Sequence, residues 1–457
     1  VLVNAPDCRY TALGCVQLRG SEMEPTPVAT RVRRRVLLLL CAMAFIFYLD
    51  RMCIAQATTE IKKSLGGIND EQWSFIAMAF TLAYGLFEIP TGRLGDRFGS
   101  KRVLVRVVLW FSIFTALSGL CPGYWSLLTV RFFFGAGEAG ALPNAARIIV
   151  RWFPPLERAR ARTWMIASSY FGGACAFYLS SVIISLLNWR WMFVFFGVLG
   201  FLWTLWFAAT YHDNPEEHPE TNDAERALLA AGGSQVSTHH DKIPWRRVLT
   251  HPSVWLLSSI IMCSAFFAYF FFTWYPTFIK QAYVVTEQQS GALSSLANLG
   301  GAIGVLVGGW VANRIQHIHG DQVRWQRIYC VSAFLLAAIL MYLCTIVPHV
   351  ALSAILAGLA YMCTLSHQTI WWGWASQIGG KHLGSLFGLM NGAGVVGAIA
   401  SQYFFGWLSR MREAEGYTGM DRYRPAFYVY MSVLVLGAFL WSRVRLLRPI
   451  DQHGTEA

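Results

Sequence analysis

The chain has 457 residues, 55% of them hydrophobic and only 14% charged, with a mean hydropathy of +0.42 and a formal net charge of +12. A soluble domain carries roughly 25% charged residues, so this composition excludes one and describes a polytopic membrane protein. The positive charge does not describe a nucleic-acid binder, because the basic residues gather in alternate loops between apolar runs.

A membrane-spanning helix needs about 20 apolar residues. The chain opens on a tail over 1–35; its segment 1–22 resembles neither a targeting peptide nor a domain, and Met23 could be the true start. Six apolar runs follow, over 36–57, 73–92, 103–120, 124–150, 163–187 and 191–211, within a first bundle expected over 36–211. A stretch over 212–252, rich in Pro, Glu and His, is too polar to span and is expected as a central loop. Six more runs, over 253–279, 288–311, 328–347, 350–378, 383–408 and 425–442, lie within a second bundle expected over 253–445, and a tail over 446–457 closes the chain. The expected fold class is all-α, twelve transmembrane helices in two pseudo-symmetric six-helix bundles. A local repeat supports duplication: Gly92-Arg93-Leu94-Gly95-Asp96-Arg97 after the second run matches Gly309-Trp310-Val311-Ala312-Asn313-Arg314 at the end of the eighth.

Arg31, Arg33, Arg34 and Arg35 precede the first run; Arg93, Arg97, Lys101 and Arg102 follow the second; Arg151, Arg158, Arg160 and Arg162 follow the fourth. The intervening loops at 121–123 and 188–190 are short and nearly uncharged, and Lys62 and Lys63 are offset by Glu60, Asp70 and Glu71. The positive-inside rule therefore puts both termini and the central loop in the cytoplasm. The four arginines over 410–424 break the pattern, although Glu413, Glu415 and Asp421 counter them. The ten cysteines are scattered, with no C-x-x-C pair, and read as small apolar fillers. The first run is too long for a cleavable signal peptide.

Two runs carry charge inside. Asp50 and Arg51 sit in the first, Arg131 and Glu138 in the fourth. Each charge costs about 3 kcal/mol on insertion scales, so such residues usually face a cavity and act there. Arg131 and Glu138 are two helical turns apart on one face, with Gly135 between them. Tyr48 and Arg51 share a face, as do Thr81 and Tyr84, with Glu88 one turn on. Pro143 is expected to kink the fourth span. A carboxylate substrate needs a fixed cation, and arginine offers a forked donor set that stays charged. A coupling acid must change protonation as its arginine is drawn away. A purely structural alternative makes Arg51–Asp50 and Arg131–Glu138 neutralised pairs, but two such pairs exceed what insertion requires. The second six runs hold no internal Lys, Arg, Asp or Glu; their polar candidates are Asn298, Ser366, His367, Gln368, Thr369 and Asn391.

Residues 92–102, GRLGDRFGSKR, resemble the cytoplasmic loop motif of the major facilitator superfamily. Tyr48-Leu49-Asp50-Arg51, together with GAGEAGALP over 135–143 and RWFPPLERARA over 151–161, resembles its anion:cation symporter branch. WRWMF over 189–193 and TWYPT over 273–277 fit the same branch, which includes bacterial sugar-acid and aromatic-acid carriers, sialin and vesicular glutamate carriers. The resemblance implies that Arg51 and Arg131 bind the substrate anion, that Asp50 and Glu138 carry protons, and that Tyr48, Tyr84 and Asn391 meet substrate. Ser169 stands where some relatives carry an amide, and His367 is a further candidate contact. Asp96, with Arg97 and Arg102, would form a gating element at the cytoplasmic end of the second span. Glu88, where a neutral polar residue is usual, and Arg106, inside the third span, depart from the family pattern.

The expected function is proton-coupled symport of a small organic anion (a hexuronate, aldonate or aromatic carboxylate) by alternating access. Alternatives are exchange of organic phosphate for phosphate, and a membrane sensor that binds without transporting. An enzyme is not expected, since the sequence shows no nucleophile–base constellation, metal spacing or nucleotide loop. No cofactor is expected. The expected partners are the anion, protons and the lipid bilayer of a bacterial inner membrane, with no nucleic acid, and the carrier is expected to be a monomer.

Overall fold

The computed structural model describes residues 29–231, 245–283, 285–317, 320–379 and 383–444. The first bundle is built from α1 (Val32–Ser64), α2 (Asp70–Phe98), α3 (Ser100–Ser118), α4 (Tyr124–Glu138), α5 (Ala141–Trp152), α6 (Pro155–Leu186) and α7 (Trp189–Thr210). Two short helices follow, α8 (Asp223–Ala231) and α9 (Trp245–Thr250). The second bundle comprises α10 (Pro252–Thr273), α11 (Tyr275–Tyr283), α12 (Glu287–Gln316), α13 (Gln322–Ile346), α14 (Val350–Ser366), α15 (Gln368–Gly379), α16 (Leu383–Ala414) and α17 (Gly419–Arg443).

Eight helical segments are long and apolar enough to cross a membrane by length and composition alone. The other crossings of the twelve-helix architecture are α2, α3, the α4–α5 pair and α16. They are more polar or are broken, and α2 and α4 carry charged residues of the site. The run expected as one span over 124–150 is in fact two helices. Ala139 is extended (ψ 137°) and Gly140 left-handed (φ 94°) before α5 resumes. Pro143 cannot donate to the carbonyl of Ala139, and its ring crowds that carbonyl, so the break falls upstream of the proline rather than beyond it. Pro276 acts likewise after α10, where Trp274 interrupts the run. A third interruption, at His367, separates α14 from α15.

In lipid, helices associate through close packing rather than through water exclusion. Gly300, Gly304 and Gly308 of α12 lie directly against the backbone of Gly358, Met362 and Ser366 on α14, and Gly172 of α6 lies against Phe45 of α1. Large apolar side chains such as Leu86, Leu202, Ile339 and Phe439 point outward. The bundles meet along two seams, α6 on α12 and α2 on α16, with α11 also touching α1.

The ends of the α2–α16 seam differ. At the start of α2, Asp70 is buried and takes Arg422 Nη2 (2.8 Å), Ser409 Oγ (2.8 Å) and Lys62. Glu71 pairs with Arg410, and Arg422 also reaches Glu413 (2.7 Å). The arginines that break the charge rule thus find acids, two of them from the opposite bundle. Nearby, Lys280 donates to the carbonyl of Gln56 (2.8 Å) and to Glu287 (2.6 Å), which also accepts from Gln56 Nε2 (2.7 Å). At the other end, the turn between α2 and α3 is pinned to its own bundle. Gly99 (φ 82°) leaves room for the Asp213 carboxylate, whose Oδ1 accepts the backbone N–H of Lys101 (3.0 Å). Arg97, Arg102 and Arg106 are exposed; the Asp96 side chain lies outside the described residues.

The central segment is not a plain loop. Asn222 and Glu225 dock it onto the start of α1. Glu225 is fully buried and accepts the backbone N–H of Val32 (3.2 Å) and Arg33 (3.3 Å), as well as the Arg33 guanidinium (3.0 Å). A carboxylate on the free N–H groups of a helix start is favourable on both hydrogen-bond and dipole grounds.

Candidate functional site

Four charged side chains meet in the interior of the first bundle, where it faces the second. Arg51 leaves α1 and Glu138 ends α4. They form a forked pair, Nη2 to Oε2 at 3.0 Å and Nε to Oε2 and Oε1 at 3.2 and 3.3 Å. Glu138 stands at a helix C-terminus, where the dipole opposes a carboxylate, so a bidentate guanidinium is the partner it needs. Asp50 points instead to α3, where its Oδ2 accepts from Thr115 Oγ1 (2.9 Å); its Oδ1 is buried with no hydrogen-bond partner among the described residues. Arg131 Nη1 is also buried without a hydrogen-bond partner among the described residues, in the electrostatic range of Asp50 and Glu138. The sequence-adjacent pairings Arg51–Asp50 and Arg131–Glu138 are therefore not made. The tight pair crosses from helix to helix, and Arg131 and Asp50 each keep one unused polar atom.

Aromatic rings hold the two guanidinium groups. The Phe80 ring centre lies 5.0 Å from the Arg51 guanidinium carbon and 5.1 Å from that of Arg131. Phe47 and Tyr84, both at 4.7 Å, and Tyr48, at 5.3 Å, complete the walls around Arg51, while Phe134 lies 4.2 Å from Arg131. Ring faces attract cations without neutralising them, so both arginines remain able to take an anion. A cavity between the bundles opens on both, closed over by Trp73, Tyr269, Phe272 and Gln402. Gln402 bridges the seam. Its Oε1 accepts from Thr81 (3.0 Å), its Nε2 donates to Thr273 (3.2 Å), and its carbonyl takes Ser74 and Trp274.

The structure brings Tyr48, Asp50, Arg51, Tyr84, Arg131 and Glu138 together. Tyr48 also packs on Tyr170 and Phe272, so it lies where the bundles touch. Asn391 donates its amide to Glu88 across the α2–α16 seam. Two candidates are placed elsewhere. Ser169 is buried with its hydroxyl on the Met165 carbonyl (3.3 Å) of its own helix, which occupies its donor. His367 sits at the α14–α15 break between Phe334 and Trp441, with Nδ1 against the Thr364 carbonyl. It faces α13 and α17 rather than the arginines, and its Nδ1 contact returns to the end of its own helix. Sequence reasoning misses Thr115, Phe80 and Gln402 as parts of the site. A hydroxyl or amide inside an apolar run is the available signal for Thr115 and Gln402; Phe80 offers none.

The family model described as Major Facilitator Superfamily matches residues 40–402. Over 382 residues the chain is 29% identical to a probable sulfoacetate transporter of Cupriavidus necator, covering 83% of this chain and 87% of that one. It is 26% identical over 406 residues to a probable galactarate/D-glucarate transporter of Bacillus subtilis, covering 85% and 88%. It is 28% identical over 355 residues to a probable L-galactonate transporter of Escherichia coli, covering 75% of each. Among solved structures, a bacterial homolog of the human lysosomal transporter Spinster, in an inward-facing and occupied conformation, superposes with a TM-score of 0.71 at 19% identity, over 91% of this chain and 98% of that one. The apolar helical runs, the two packed bundles and the match over residues 40–402 make this chain an integral membrane protein that belongs to the major facilitator superfamily.

Proposed function

We propose that the protein is a proton-coupled symporter of a small organic anion, with its basic loops in the cytoplasm and its transport site at Arg51 and Arg131. The observation that carries this reading is the unequal pairing of the two buried arginines: Arg51 holds Glu138, while Arg131, which lines the same cavity, keeps a buried Nη1 that has no hydrogen-bond partner among the described residues. An incompletely paired buried cation is costly unless an anion completes it. The names of the relatives, carriers of sulfonates and sugar acids, agree with an organic anion as that ligand.

A substrate carboxylate or sulfonate binds Arg131 and draws Arg51 away from Glu138. Glu138 then stands buried without its cation, and a proton replaces the lost positive charge. Asp50, with one unused oxygen, is the second proton acceptor in the same core. Once the substrate leaves, Arg51 returns to Glu138 and expels the proton. This exchange links anion binding to protonation, which symport requires. The test is uptake into proteoliposomes of D-gluconate, D-glucarate, isethionate and sulfoacetate. The expected result is accumulation driven by a pH gradient, acid outside, and abolished by a protonophore. Accumulation that ignores the pH gradient overturns the coupling. Exchange for internal phosphate alone favours an antiporter, and binding without flux favours a sensor.

A further inference from the structure

Beside the two arginines, the site has an acidic residue that takes no part in this coupling. Glu88 lies one turn beyond Tyr84 on α2, about 6 Å along the helix. Tyr84 itself packs on Arg51. The Glu88 side chain is half-buried, its Oε2 accepts Asn391 Nδ2 from the opposite bundle, and its Oε1 takes none of the described hydrogen bonds. The carboxylate is in the electrostatic range of Arg51, Tyr84 and Tyr269, so it belongs to the field of the site rather than to the lipid face. Glu88 is also not the counter-ion of either arginine: Arg51 is held by Glu138, and Arg131 is walled by Phe80 and Phe134. Gly85, between Tyr84 and Glu88 in the chain, lies against Val395, one turn beyond Asn391 on α16, so this stretch of the seam is closely packed. At the opposite end the seam is tied by Asp70 and Arg422. Glu88 and Asn391 meet farther along the same seam, toward its other end.

We propose that Glu88 selects substrates by the charge of their far end. An anion with one acidic group on the arginines and a hydroxyl or ammonium donor at the other end suits an acceptor oxygen a helical turn away. An anion with a second acidic group meets a like charge in a poorly screened space. This rests on the organic-anion reading and sharpens it: the preferred class is the hydroxylated or amino-bearing monoanion, and dianions of the same skeleton are disfavoured. The relatives include both classes, a galactonate carrier and a galactarate/glucarate carrier.

Two matched pairs of probes isolate the far end. D-gluconate and D-glucarate differ in a terminal hydroxymethyl against a carboxylate, and isethionate and sulfoacetate differ in the same way. Apparent affinities come from ligand-dependent thermal unfolding of the purified full-length protein. In the wild type the hydroxyl member of at least one pair binds about tenfold or more tightly than its dianionic partner. In Glu88→Gln that ratio falls by about tenfold. In Glu88→Asp, which keeps the charge, the wild-type preference persists, and Glu88→Ala, which also removes the charge, stands in where Glu88→Gln does not fold. Equal binding or a dianion preference in the wild type, an unchanged ratio in folded Glu88→Gln or Glu88→Ala, or loss of the preference in Glu88→Asp each overturns the inference. If none of the four probes binds the wild type, the organic-anion reading itself falls, an outcome distinct from binding without discrimination.

Discussion

At the residue scale, the two arginines should respond differently to the same change. Arg51→Gln removes the partner of a buried carboxylate, which costs about 3–5 kcal/mol of stability. Arg131→Gln removes a guanidinium with an unpartnered nitrogen, and should leave thermal stability in detergent near that of the wild type. Both should weaken anion binding, by about 30-fold to several thousand-fold if about 2–5 kcal/mol is lost. Melting and ligand titration on the two variants check this together. Equal melting temperatures would contradict the unequal pairing, and wild-type affinity in both would take the arginines out of the anion site. The acids are separated by transport assays. Asp50→Asn or Glu138→Gln should stop uphill uptake driven by a pH gradient, while at least one retains substrate counterflow, because an amide imitates a protonated acid. Accumulation with an unchanged pH dependence in both would make these acids structural partners only.

At the element scale, the informative feature is the break between α4 and α5. It ends α4 on Glu138, so the carboxylate emerges at a helix terminus where Arg51 can reach it with two nitrogens. Gly140 makes the break feasible: its φ of 94° is left-handed, and a Cβ there would come within 2.7 Å of Thr91 Oγ1. Gly140→Ala should therefore cost about 1–2 kcal/mol from the backbone alone, with the Thr91 contact adding to it. It should also misplace Glu138, lowering transport more than a surface Gly→Ala change such as Gly67→Ala, whose Cβ meets nothing within 4 Å. Thermal unfolding and uptake of the two variants, side by side, decide the point. Both glycines have positive φ, so a comparable loss of transport in both would show that backbone strain alone, and not the position of Glu138, is felt. The expectation of a continuous fourth span rests on hydropathy, which sums transfer energies along a window and is blind to a two-residue change of backbone conformation.

At the scale of the whole molecule, the ties between the bundles are uneven. Asp70 binds Arg422 and Ser409 of the opposite bundle in a buried cluster, and the Gln56–Lys280–Glu287 group joins α1 to α11 and α12. Under the proposed orientation, with the basic loops inside, this cluster would serve as an outer latch, made while that end is closed and released when it opens. Asp70→Asn should weaken it and shift the population outward-open, since a contact present in one state biases the equilibrium by its own strength. A single cysteine at Ala77, which lines the cavity, on a cysteine-depleted background should then react faster with an external impermeant maleimide. Unchanged or slower labelling would reject the latch.

The sequence by itself determined that this chain enters a membrane, how many times it crosses, and which runs carry charge, because those properties depend on local composition and on a transfer cost that each residue brings with it. It also pointed to Asp50, Arg51, Arg131 and Glu138 as a group, since charges in apolar runs are too costly to be incidental. Only the tertiary structure decided who pairs with whom. Asp50 and Arg51 are neighbours in the chain, yet they leave α1 in different directions, one toward Thr115 on α3 and the other toward Glu138 on α4. Successive residues on a helix point about 100° apart, so adjacency in sequence argues against a shared partner rather than for one. The meeting of Glu88 with Asn391 and the Asp70–Arg422 tie join residues more than 300 positions apart. Such contacts depend on how two bundles dock, a property of packed surfaces that no local window of sequence contains.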